Sequence, residues 1–173
     1  MERAVKESMF PQVILKCVYR CHPVITSLLG ELFYNSEIIS GISAEQRSEF
    51  MKNRPHFWPN PNFPIMVVDN KAPAQAMGTS FANSTERVVV KQIIDFLTDT
   101  ERKKFVISPA DVGVISYYSA QTSLLTDALR DVGVKCGTVD SFQGSEREII
   151  VLCCTNDDIQ VKKLVKISRK LKK

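Results

Sequence analysis

Four short apolar runs, set apart by stretches of helical periodicity, constrain this chain more than any other feature. They are I-M-V-V-D (65–69), V-G-V-I-S (112–116), Cys136 to Val139 and I-I-V-L-C-C (149–154). Each has the length of a strand. Continuous apolar character without alternation is the pattern of strands covered on both faces of a parallel sheet. A further β-rich run, Q-V-I-L-K-C-V, occupies 12–18. After Pro23, the residues Ile25, Leu28, Leu29, Leu32 and Phe33 recur at three- and four-residue spacing and predict one buried helix face. N-S-T-E (83–86) has the form of a capping box, and it opens a helix predicted to bury Val88, Val89, Ile93, Ile94 and Leu97 and to end near Asp99. Ser119 to Asp131 places Leu124, Leu125, Ala128 and Leu129 inward. Strand and helix thus alternate along the chain. This predicts an α/β layered fold, a mostly parallel sheet with helices on both faces. Residues 40–64 read as irregular. Their segment N-R-P-H-F-W-P-N-P-N-F-P reads as a surface loop whose Phe57, Trp58 and Phe63 pin it to the core; stacking on bases is the alternative.

At 173 residues and 44% hydrophobic, the chain has enough apolar content for one ordinary globular domain. The expected organisation is an extension at 1–9, the domain at 10–158 and a basic tail at 159–173. The tail holds Lys162, Lys163, Lys166, Arg169, Lys170, Lys172 and Lys173 and no acid, so the overall charge of +4 conceals a body of about −3. A uniformly basic coating of nucleic acid is excluded by that balance. Phosphate contacts from the body would need placed residues, backbone N–H groups or helix ends. No apolar run approaches the roughly 20 residues that span a bilayer. Met1 to Ser8 is charged, with no apolar stretch behind it, unlike a secretory signal. The five cysteines (Cys17, Cys21, Cys136, Cys153, Cys154) are odd in number, and no second ligand pair follows Cys17 and Cys21 at zinc spacing. Reduced thiols, no metal site and an intracellular protein, cytoplasmic or nuclear, are the expectation.

In open parallel sheets, ligands sit at the carboxyl ends of strands. Tyr19–Arg20, Asp69, Ser116–Gln121 and Asp140–Gly144 all fall at such predicted ends. No G-x-x-x-x-G-K-[ST] phosphate loop is present, nor an acidic pair after an apolar strand to hold magnesium. Three constellations remain. Tyr19 offers a flat π face and Arg20 a planar charged fork, a pair able to hold both ends of a nucleotide, or an ordinary surface pair. Ser116 to Gln121 places hydroxyls at a helix N-terminus, where orphan N–H groups bind phosphate or where Ser119 simply caps the helix. T-V-D-S-F-Q-G-S-E (138–146) has more donors and acceptors than a connector needs. Its Gly144 permits close approach of the backbone to a ligand, and Glu146 can accept two ribose hydroxyls.

The order Y-R-x-H-P, Pro-rich loop, N-S-T-E, G-V-I-S-x-Y-x-x-Q and T-V-D-S-F-Q-G-x-E-x-x-I-I resembles the C-terminal motor domain of superfamily 1 helicases, in the branch of the nonsense-mediated-decay helicases. The resemblance runs from about Phe10 to Asn156. It implies a RecA-like, P-loop-NTPase-type fold and a role as the second motor domain of an ATP-dependent RNA or DNA helicase. It implies nucleotide contacts at Tyr19 (adenine), Arg20 (γ-phosphate), Gly144 and Glu146 (sugar and phosphates). Nucleic-acid contacts are implied at Thr138, Ser119 and Gln121, with Gln143 and Asp140 coupling the two sites. ATP is the implied cofactor, its magnesium held by the family's first motor domain, and single-stranded RNA or DNA and that first domain are the implied partners. The sequence departs from the family in Val18 for the usual glutamine and Tyr117 for the usual proline. D-D-I-Q-V-K-K-L stands where an arginine-bearing helix is usual. Removing phosphate-loop and magnesium contacts costs phosphoryl transfer orders of magnitude in rate, so no hydrolysis and no independent nucleotide binding are expected of the chain alone. A non-catalytic module binding single-stranded nucleic acid or a helicase partner is the alternative.

Overall fold

The computed structural model describes residues 13, 15–52, 57–99 and 107–155. The expected extension at 1–9 and basic tail at 159–173 lie outside the described residues. The chain divides into two compact units, Met1–Val68 and Asp69–Lys173.

In the first unit a short strand β1 (Cys17–Val18) pairs in parallel with β2 (Ile39–Ser40), and helix α1 (Pro23–Phe33) connects them. Helix α2 (Ala44–Lys52) follows. Pro23 opens α1 at a position where its missing N–H costs nothing. The buried residues of α1 are Thr26 and Gly30, not the predicted leucine stripe; Leu29, Leu32 and Phe33 are exposed. The small residues win because the helix lies close to its neighbouring chain: a Cβ on Gly30 would stand 3.3 Å from Ile38. Helix α2 was not expected in a region read as irregular. Its start is a Ser-x-x-Gln sequence in which the Ser43 N–H donates to Gln46 Oε1 at 2.8 Å, one half of a capping box. Trp58 and Phe57 pin the following loop as expected, whereas the Phe63 ring is exposed and contributes only its carbonyl. Trp58 meets Phe50 of α2 edge-on at 5.6 Å, and its indole N–H donates to the Phe63 carbonyl at 2.8 Å.

The apolar run at 65–69 forms no strand, and Val67 and Val68 are exposed, so Asp69 does not close a strand end. An apolar run states that a segment wants cover; it does not state which ladder will receive it.

The second unit begins with a hairpin, β3 (Gln75–Met77) antiparallel to β4 (Ser80–Ala82). Helix α3 (Ser84–Thr98), strand β5 (Val112–Ser116), helix α4 (Ser119–Ala128), strand β6 (Lys135–Thr138) and strand β7 (Ile149–Cys153) follow. Strands β6, β5 and β7 form a parallel sheet in that order, with β5 central and nearly wholly buried. Helix α3 buries Val90, Ile94 and Leu97, while Val88 is 46% exposed. The run Val88–Val89–Val90 left the phase of the helix open, and the i, i+4, i+7 set took the core. Helix α4 buries Gln121 and Leu125, and Leu129 at its C-cap continues the stripe. The fold is therefore mixed α/β, with mostly parallel strands and flanking helices, the RecA-like layered pattern expected. Among the described residues no helix is long and apolar enough to cross a membrane.

Candidate functional site

Parallel strands β6 and β7 flank β5, so the chain leaving the carboxyl end of β6 must return to the amino end of β7. Crossovers of this kind ordinarily use a dozen or more residues and a helix. Here residues 139–148 make the return with only a 3₁₀ turn, Asp140–Phe142. So short a segment has to run close to the sheet. Phe142 anchors it, 7% exposed, against β5 and β6. It fits because both strands carry glycine beneath it. A Cβ on Gly113 would come within 2.6 Å of the ring, and one on Gly137 would stand 3.1 Å from it and collide with Ser141 Oγ. The Ser141 hydroxyl donates to the Thr138 carbonyl at 2.8 Å. Lys135 closes the arrangement: its ammonium donates to the Ser141 carbonyl (3.3 Å) and Ser145 Oγ (3.1 Å) and lies 4.7 Å from the Phe142 ring centre.

With Phe142 facing in, its neighbours face out. Asp140, Gln143, Gly144 and Glu146 are all exposed on this one segment. Gly144 has φ +76°, a left-handed conformation that glycine adopts freely, and open space where a side chain would be. The structure thus brings four of the sequence-predicted site residues together. Thr138, half-buried at the end of β6, pairs in register with Ser116 at the end of β5.

Ser116 leads into α4. Its hydroxyl accepts from the Tyr118 N–H at 3.2 Å. Ser119 is exposed but does not cap the helix. Instead Ser80, from the β3–β4 hairpin, accepts the Ala120 N–H at 3.2 Å, and its hydroxyl lies 3.3 Å from that of Ser119. Phe81 meets Tyr118 edge-on at 5.4 Å and holds the hairpin in place. Gln121, expected among the strand contacts, is 0% exposed. Its amide is spent within the protein: Oε1 accepts the Asn83 N–H at 2.7 Å, and Nε2 donates to the Asn83 carbonyl (3.3 Å) and Glu86 Oε2 (3.0 Å). It lies inside the protein and is not presented on the surface.

Tyr19 and Arg20 follow β1 in the first unit, and both are exposed. The Tyr19 ring packs on Gly41, where an added Cβ would collide with it. Its hydroxyl is raised above the usual phenol value, first by a hydrogen bond with the Cys17 thiol. His22, at the N-cap of α1, supports this turn. Its Nδ1 accepts the Val24 N–H at 3.2 Å, and Nε2 lies 3.3 Å from Ser48 Oγ, whose proton goes to the Ala44 carbonyl. These partners fix the neutral tautomer with the proton on Nε2. Burial lowers the pKa of His22 below 6.5. Sequence reasoning missed Lys135, Ser80, Glu86 as a long-range partner and His22 as a cap. The His-Pro step at 22–23 and the Ser-x-x-Gln box were the available local signals; the others depend on tertiary approach. Among the described residues no cluster of three or more His, Cys, Asp or Glu side chains is placed to hold a metal.

Comparison with known proteins agrees with this architecture. The AAA domain family matches residues 1–171. An uncharacterized ATP-dependent helicase of Caenorhabditis elegans is 55% identical over 92% of this chain, which covers 10% of that protein. A homolog of regulator of nonsense transcripts 1 from Neurospora crassa is 33% identical over 91% of the chain, and 15% of its own length is covered. The ATP-dependent helicase NAM7 of Saccharomyces cerevisiae is 27% identical over 92%, with 18% of its length covered. The chain therefore spans between a tenth and a fifth of these relatives. It belongs to the AAA domain family, as an AAA-type domain of superfamily 1 helicases related to the regulators of nonsense transcripts and NAM7.

Proposed function

We propose that this chain, over residues 10–158, is the second motor domain of an ATP-dependent nucleic-acid helicase. The observation that carries the reading is the crossover 139–148, which is anchored by Phe142 and presents Gln143, Gly144 and Glu146 outward. An exposed left-handed glycine beside an exposed carboxylate suits a ribose and phosphate contact. Under this reading Gly144 and Glu146 hold the nucleotide's sugar and phosphates. Tyr19 stacks on adenine and Arg20 reaches the γ-phosphate. Thr138 and Ser119 contact the backbone of a single strand, while Gln121 acts by holding Asn83 and Glu86 in place. Gln143 and Asp140, on the same segment as Gly144 and two residues from Thr138 at nearest, couple nucleotide to strand. The phosphate-loop lysine and magnesium acids have no counterpart in this sequence, and in this reading they come from a first motor domain. The names of the relatives, ATP-dependent helicases among them, support the assignment.

The test is hydrolysis and binding by the chain. ATP hydrolysis should be undetectable with or without single-stranded RNA. With a first motor domain supplied in trans, millimolar ADP should shift amide resonances at Gly144, Ser145 and Glu146 in an NMR titration, and Glu146→Ala should remove the shifts. Robust hydrolysis, or shifts that avoid this segment, would overturn the reading. The basic run 159–173 favours a second reading, a non-catalytic module for single-stranded nucleic acid or a helicase partner. That reading requires salt-sensitive RNA binding that weakens on deletion of the run.

A further inference from the structure

The sequence N-S-T-E predicts a reciprocal capping box, and the structure completes only half of it within the helix. The Asn83 side chain accepts the Glu86 N–H at 2.9 Å, as the motif requires. The return bond, from the Asn83 N–H to the Glu86 carboxylate, is not made. Gln121 Oε1 takes that N–H instead, at 2.7 Å, from a helix 38 residues further on. Glu86 is thereby released for other work. Its Oε1 accepts the Thr155 N–H at 3.1 Å, and its Oε2 accepts the Thr155 hydroxyl at 2.9 Å and Gln121 Nε2 at 3.0 Å.

Thr155 explains what the carboxylate is holding. It follows β7 at the carboxyl end of the sheet, 6% exposed, with φ +60°. A β-branched residue in the left-handed region is strained and persists only where its surroundings over-determine it. Two bonds to one carboxylate do this. The same carboxylate orients Gln121, which satisfies Asn83 on both its N–H and its carbonyl. One side chain therefore joins the start of α3, the first turn of α4 and the turn after β7.

We propose that Glu86 is a positioning residue for the strand-binding face: it fixes Gln121 and the Thr155 turn, and through them the first turn of α4 that carries Ser119. This rests on the strand-binding reading above for its functional consequence, but not for its structural one. A glutamine at 86 cannot reproduce the pattern. Its amide nitrogen would meet a donor in either orientation, the Thr155 N–H in one and Gln121 Nε2 in the other.

The experiment measures amide hydrogen exchange and single-stranded RNA binding on the full chain, in wild type, Glu86→Gln, Thr155→Ser and Thr155→Val. Loss of a hydrogen bond to a charged group should speed exchange roughly tenfold or more. Glu86→Gln should do so at Thr155 and also at Asn83, which Glu86 does not touch directly through that N–H. Thr155→Ser keeps both bonds and should exchange as wild type does. Thr155→Val keeps shape and branching but loses the hydroxyl, and should exchange faster at its own amide and at Asn83. A role in packing alone would rank them the other way, with valine like threonine; that ranking, or an unmoved Asn83 amide in Glu86→Gln, overturns the proposal. Oligouridine anisotropy should show several-fold weaker binding for Glu86→Gln and Thr155→Val and unchanged binding for Thr155→Ser. If wild type binds no RNA at low salt, the strand-binding reading fails, and the exchange ranking still decides the clamp.

Discussion

Gly137→Ala is the smallest change that tests whether the crossover is shaped by the strand beneath it. The added methyl would collide with Ser141 Oγ and stand 3.1 and 3.2 Å from two atoms of the Phe142 ring. Gly137 is buried in β6 beneath Ser141 and Phe142, so the added methyl has little room. Inserting a methyl into a packed site costs about 1–3 kcal/mol. Turning Ser141 aside gives up its bond to the Thr138 carbonyl, a further ~1 kcal/mol. Lower entropy in the unfolded chain returns about 0.4–1 kcal/mol. The net loss is about 1–3 kcal/mol, which lowers a urea midpoint by roughly 1 M at unchanged slope. Ser141→Gly in the same chain removes the colliding hydroxyl and should recover part of that loss, a coupling of about 0.5–1.5 kcal/mol in a double-mutant cycle. A neutral or stabilising Gly137→Ala, or additive single and double mutants, would refute the idea that the glycine makes room for the loop.

The protonation of His22 sets a pH dependence. Its folded pKa lies below the usual 6.5 because of burial, so the unfolded chain takes up a proton first as pH falls. Its contribution to stability is whole above about pH 6.5 and declines as pH drops below it; urea midpoints at pH 7.5 and 5.5 should differ less in His22→Asn, which retains a capping acceptor, than in wild type. Trp58→Phe keeps the ring but loses the bond to the Phe63 carbonyl, worth ~1 kcal/mol, and limited proteolysis should cut near 58–63 faster than in wild type; an unchanged cleavage rate would argue that aromatic packing alone holds the loop. The thiols should separate by reactivity at pH 8: exposed Cys17 reacts first, Cys136, pushed up to about 11 by burial, reacts slowly, and buried Cys153, raised further by burial and then by Glu86, reacts only on unfolding. Mass spectrometry of alkylated peptides reads that order, and early modification of Cys153 would contradict the packing of β7.

Much of the second unit was legible in the sequence because its signals are local and agree. V-G-V-I-S became the central strand, N-S-T-E began a helix, and Leu125 and Leu129 faced inward. The first unit was harder. Its helix α1 buries Thr26 and Gly30, so the larger apolar residues that dominate any periodicity count pointed to the wrong face. The helix at Ala44–Lys52 has few apolar residues, and only its Ser-x-x-Gln start betrayed it. The run at 65–69 shows the limit of composition, since hydrophobicity specifies cover and not a partner strand. At the candidate site, the exposed residues Gln143, Gly144 and Glu146 were legible as excess polarity. Gly113 and Gly137 were not, because a glycine in a strand reads as a weakness until the ring it accommodates is known.

The two clamps share a logic that local sequence rules miss. In each, a residue that ought to serve its own element serves a distant one: Lys135, the first residue of a strand, donates to a turn ten residues ahead, and Glu86, the third residue of a helix, holds a turn 69 residues away. Both act on chain that leaves or re-enters the parallel sheet, where ladder hydrogen bonds no longer define the path. A sheet end has unsatisfied backbone groups and must either bind water or be tied by side chains. Tying it fixes where exposed groups such as Gly144, Glu146 and Ser119 stand, and groups fixed in advance bind a ligand without the entropic cost of ordering them. On the proposed reading, departures from local consistency are the places where this sequence builds for binding, and Glu86 and Lys135 are where substitution should separate stability from recognition.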